Sequence, residues 1–152
     1  MSKSQTVDRN SGHRAQARKL LWPVAVAVFL FTVSYPANDF VGATSPTDIG
    51  PGLFLGYAGI AAVTVGVVFA LVLPWALHRE GSGGVALALA IPGTLLAPGF
   101  WTGFSPGLAA GGALLGWAGI YATKDRKLSQ VAFVIGVLGV MFNVVSYADV
   151  FI

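Results

Sequence analysis

GVALALAIPGTLLAPGFWTGFSPGLAAGGALLGWAGIYA, residues 84–122, decides how often this chain crosses a bilayer. Its 39 mostly apolar positions exceed the ~20 that one spanning helix needs and suit two short crossings. The segment Pro98-Gly99-Phe100-Trp101-Thr102-Gly103-Phe104-Ser105-Pro106-Gly107 is dense in turn formers and interfacial aromatics, so the break is expected there. The flanking charges agree. Arg79 precedes the stretch, and Lys124, Arg126 and Lys127 follow it. Two crossings keep these bases on one side, whereas a single crossing would divide them, against the positive-inside rule.

Working outward, spans are expected at about 20–36, 53–77, 85–100, 106–121 and 128–147. In the first, Pro23 is read as lying in the opening turn, where a missing N–H costs little, with Trp22 and Tyr35 as interfacial brackets. An uncleaved anchor is the preferred reading of this span; a signal peptide cut near Val41-Gly42-Ala43 is the alternative. Residues 1–19 are polar and basic without apolar periodicity, and are expected to form a disordered cytoplasmic tail. Ser45-Pro46-Thr47-Asp48 reads as a helix start that Gly50-Pro51-Gly52 breaks, giving one interfacial turn.

All nine Lys and Arg residues then fall on one side: Lys3, Arg9, Arg14, Arg18 and Lys19, then Arg79, then the cluster ending at Lys127. Asp39, Asp48 and Asp149 fall on the other. The expected fold is an all-α membrane protein, a bundle of five transmembrane helices over residues 20–152, with a cytoplasmic amino end and an outer carboxyl end. The composition suits a bilayer, being 55% hydrophobic and only 10% charged, against about 25% charged in soluble domains. The net charge of +3 sits in short flanks rather than on an extended face, which points to anionic lipid and not nucleic acid. With no cysteine in the chain, disulfides and thiolate chemistry are excluded.

Glycine is abundant, with 20 residues, roughly twice the usual ~7%. Gly52/Gly56, Gly107/Gly111 and Gly112/Gly116 have the spacing that puts both glycines on one helix face, and Gly136/Gly139 add a small patch to the last span. Such faces admit close helix approach, either within the monomer or toward an oligomer or partner subunit. Gly56-Tyr57-Ala58-Gly59-Ile60 and Gly116-Trp117-Ala118-Gly119-Ile120 resemble each other, but the Pro-Gly-Leu tripeptides near them align in a different register. Shared composition is the preferred explanation over a duplicated hairpin.

Pro92 falls mid-span and removes a helical N–H, expected to kink the helix or to form part of a gate. Ionisable groups within a membrane usually mark function, and none falls inside the expected span cores. Asn143 is the deepest strongly polar side chain, expected to bond across the bundle or to line a small polar site. Haem held by two histidines, an embedded proton relay and intramembrane hydrolysis all lack the necessary residues. No catalytic residue, cofactor or metal site is expected.

The stretch Gly112 to Met141 resembles, in composition only, the hairpins of small bacterial membrane proteins, which implies a bacterial cytoplasmic membrane as the setting. The expected function is a non-enzymatic accessory or scaffold protein, packing with itself or a membrane partner through Gly-rich helix faces. The alternative is a subunit of a transporter or channel for a small neutral or lipid-like solute, using Asn143 and Pro92.

Overall fold

A computed structural model describes residues 3–41, 51–79, 81–98, 104–122 and 124–151, and these are helical with short turns. The helices are α1 (Lys3–Val41), α2 (Pro51–Leu77), α3 (Gly83–Leu95), α4 (Phe104–Ala118) and α5 (Arg126–Phe151). Three of them, through Ser11–Ser34, Pro51–Leu77 and Arg126–Ala148, are long and apolar enough to cross a membrane. The expected turn at Ser45–Asp48 and the centre of the aromatic break, residues 99–103, lie outside the described residues.

Helix α4 is the centre of the molecule and touches the other four. That position explains its composition. Ser105, Pro106, Gly107, Ala109, Ala110, Gly111, Gly112, Leu114, Leu115, Gly116 and Ala118 are all buried. A central helix of small residues lets its neighbours close in, and in lipid that close packing is itself the adhesive force. Helices α3, α4 and α5 pack mutually most closely, while α1 and α2 cover the remaining flank of α4.

Two readings of the first helix need correction. Residues 3–19 are part of a 39-residue helix and not a disordered tail. Extending a helix costs little once a nucleus exists, and packing holds this extension in place. Ala17 is fully buried, and the His13 ring packs at a tilt against Trp117 and edge-on to Tyr121, with ring centroids 4.8 and 4.9 Å apart. Pro23 is consequently an interior proline and not a first-turn one, so the carbonyl of Lys19 lacks its helical donor.

Helix α2 contains a π turn over Val67–Val72, in which the Leu73 N–H reaches the Val68 carbonyl. Its cause is Pro74, which has no N–H to offer the carbonyl of Ala70 and would crowd it in a regular α turn. The same helix ends with His78 Nδ1 donating to the Pro74 carbonyl at 2.6 Å. The Arg79 guanidinium lies 3.9 Å over the Trp75 ring. The α2–α3 and α4–α5 turns meet here, with Gly81 and Gly83 against Asp125, and form the basic end of the molecule. Gly81 takes φ 86°, and a Cβ at that position would lie 2.7 Å from Asp125 Oδ2.

Candidate functional site

The glycines divide into two groups by surroundings, although their spacing is alike. A Cβ on Gly112 would lie 2.6 Å from the Ala90 nitrogen of α3. One on Gly116 would lie 2.5 Å from the Phe133 nitrogen of α5, and one on Gly136 would lie 2.5 Å from the Ala113 nitrogen of α4. Gly139 meets Thr94 and Ala109, and Gly111 meets Val68 at 2.8 Å and Leu73 at 3.2 Å. At Gly112, Gly116 and Gly136 these are close backbone approaches that only glycine permits, whereas Gly111 is faced by side-chain ends, and together they hold the bundle together internally. Gly107 is looser, in ordinary contact with Thr64 at 3.7 Å.

Gly52 and Gly56 differ: among the described residues nothing lies within 4 Å of a Cβ at either. The same holds for Gly59 and Gly66. With Val63, which is 66% exposed, they recur along α2 at alternating steps of four and three, a seam of period 3.5. Leu55 and Ile60 border it and are also exposed. Gly56, Gly59 and Val63 of this seam line a groove of about 610 Å³ whose other side includes Phe104 and Leu108 of α4. The two similar pentapeptides therefore have opposite surroundings. Gly56 and Gly59 are open, whereas Gly116 is packed on Phe133 and Gly119 on Ser129.

Asn143 is 1% exposed, and its side-chain amide works inside the bundle. Its Nδ2 donates to the Gly139 carbonyl at 2.7 Å, one turn back on α5. Its Oδ1 accepts from the Ser105 hydroxyl at 2.8 Å. That hydroxyl also lies 2.8 Å from the Gly93 carbonyl at the end of α3, so one proton serves two acceptors. Ser105 thus links α3, α4 and α5 at a point where a helix end leaves carbonyls unsatisfied. Pro92 and Asn143 are brought into one neighbourhood through Gly93 and Ser105. Thr94 makes a second bridge, with its hydroxyl 2.9 Å from both the Ala90 and Ile135 carbonyls.

Ser105 was not singled out in the sequence. Its position before Pro106 suggests an ordinary helix start, and only the tertiary structure shows that it faces Asn143. Gly93, against the Ala109 backbone, and Gly119, against Ser129, were missed as well because neither belongs to a four-residue pair.

Between α1 and α5, over α4, runs an apolar groove of about 570 Å³ whose lining includes Leu20, Val24, Phe31, Phe133, Asn143 and Val144. One end is closed where Phe31 and Tyr147 stack with centroids 4.9 Å apart and Ser34 donates to the Tyr147 hydroxyl at 3.0 Å. Among the described residues no three His, Cys, Asp or Glu side chains converge on a point that would hold a metal.

No protein-family model matches the chain, and neither the curated proteins nor the solved structures provide a match.

Proposed function

We propose that this protein is a non-enzymatic scaffold of the bacterial cytoplasmic membrane, associating through the open glycine seam of α2. All five helices cross the bilayer, with the basic end and amino terminus in the cytoplasm and the carboxyl terminus outside. The nine bases are the support for that orientation. α3 and α4, at 13 and 15 residues, reach only about 20 Å each. They pack on each other and on the longer α5, which carries them across the apolar layer.

The single observation behind the association is the contrast between the two glycine groups. Gly112, Gly116 and Gly136 are each filled by a neighbouring backbone, whereas among the described residues nothing lies within 4 Å of a Cβ at Gly52, Gly56, Gly59 or Gly66. Glycine in a helix interior costs roughly 0.5–1 kcal/mol relative to alanine. An exposed run of four is therefore unfavourable unless close approach by another helix offsets it. A second copy of the chain suits the seam, because a seam of small residues is complementary to itself about a two-fold axis.

The test is co-purification of two differently tagged copies of the full chain from mild detergent. Gly59→Leu is expected to abolish capture while leaving the helical content unchanged. Capture unaffected by Gly59→Leu would refute the seam as the interface.

The transporter or channel reading relies on Asn143 and Pro92. Both already serve helix–helix contacts through Ser105, and the groove that Asn143 borders is closed at the Phe31–Tyr147 end. A through-path is harder to build from this arrangement than a scaffold.

A further inference from the structure

The groove between α1 and α5 has dimensions, walls and charges that together specify an occupant. From Leu20 to Phe31 it follows twelve residues of α1, or about 16 Å. A helix with side chains, 10–12 Å across, would need roughly 1,300–1,800 Å³ over that length. The groove, open along one side, provides about 570 Å³, so a helix laid along it would stand mostly outside. An extended hydrocarbon chain, about 4–5 Å across at carbon contact distances, needs roughly 200–300 Å³. Two such chains side by side match the space.

The walls belong to α1 and α5, both among the helices apolar enough to cross a membrane, so the open side faces bilayer hydrocarbon. Phe31, Tyr147 and Ser34 close the end remote from the basic turns. The other end runs past Trp117 toward the basic end. There, Arg126 and Gln130 lie seven and three residues before Phe133 on the same face of α5, and both are exposed. Apolar walls, one closed end and a cation at the open end fit a two-chain lipid with an anionic headgroup.

We propose that the groove is a resident site for one anionic phospholipid, its two acyl chains lying between α1 and α5 and its phosphate beside Arg126. Bound there, the lipid fills the gap that α1 leaves against α5 and forms part of the folded unit. This site is separate from the α2 seam and does not depend on it.

The test is native mass spectrometry of the full chain, reconstituted with equal phosphatidylglycerol and phosphatidylethanolamine and then washed extensively in mild detergent. The wild type is expected to retain one phospholipid, enriched at least fivefold in phosphatidylglycerol. Ala27→Trp, an exposed position bordering the groove, is expected to reduce retention at least tenfold with helical content unchanged. If that variant does not fold, Val144→Trp from the facing wall, 50% exposed, replaces it with the same expected loss. Arg126→Gln is expected to retain lipid but lose the headgroup preference. A wild type that washes bare, a groove-filling variant that retains lipid normally, or a co-purifying polypeptide lost on filling the groove would overturn the site. An unchanged preference in Arg126→Gln would overturn the headgroup assignment.

Discussion

The Ser105 hydroxyl and the Asn143 side-chain carbonyl are 2.8 Å apart, and both residues are almost wholly enclosed. Around this pair, side-chain hydrogen bonds tie the ends of α3 and α4 to α5. In lipid, such bonds contribute about 0.6 kcal/mol on average and up to about 1.7. The pair is therefore expected to contribute measurably to stability without dominating it.

Ser105→Ala is expected to destabilise the bundle by about 1 kcal/mol and Asn143→Ala by about 1–2 kcal/mol, since each leaves a buried polar atom without its partner. The double variant is expected to cost about 0.5–1 kcal/mol less than the sum. Reversible unfolding in mixed micelles measures all three. Full additivity would show that the two side chains do not cooperate.

Alanine substitutions should separate the two glycine groups by sign. Gly112→Ala is expected to cost at least 1–3 kcal/mol, because the new methyl meets the Ala90 backbone at 2.6 Å and the helices must part. In the isolated monomer, Gly52→Ala or Gly66→Ala is expected to be neutral or to stabilise by up to about 1 kcal/mol, with open space around the methyl and better helix propensity. Thermal unfolding of the monomeric variants in detergent distinguishes the two signs.

The ring contacts of His13 with Trp117 and Tyr121 hold the basic half of α1 on the bundle. Each is worth about 0.5–1.5 kcal/mol. His13→Ala should therefore accelerate amide hydrogen exchange over residues 11–19 roughly tenfold. Exchange in α4 and α5 should stay unchanged. Since Nδ1 of His13 is enclosed and has no partner among the described residues, His13→Phe is expected to preserve the protection.

The proposed topology rests on the placement of the bases. A reporter active only in the cytoplasm is expected to work when inserted after Ser82 and to be silent when fused after Ile152. A cytoplasmic carboxyl end would contradict five crossings.

Much of this architecture was legible in the chain. Apolar length located the helices around residues 53–77 and 128–147, and the glycine-rich composition of residues 106–121 anticipated a closely packed helix. The extension of α1 to Lys3 was not legible, because residues 3–19 carry no periodicity of their own. What holds them is contact with Trp117 and Tyr121, about a hundred residues away. Spacing also marked Gly52/Gly56 and Gly112/Gly116 alike. It reveals a notch on a helix but not what fills it, which depends on the neighbours each helix meets. Ser105 was hidden for a related reason, since a serine before a proline reads as a local start signal while its partner lies 38 residues further on.

The central claim is that α2 meets a second copy along its glycine seam. The chain has no cysteine, so single cysteines placed along α2 report only on contacts between copies. Oxidative cross-linking in native membranes is expected to give disulfide dimers at positions 52, 56, 59, 63 and 66, and little at Leu53 or Ala62, which are exposed but off the seam. Uniform cross-linking along the helix, or none at the seam positions, would contradict the account.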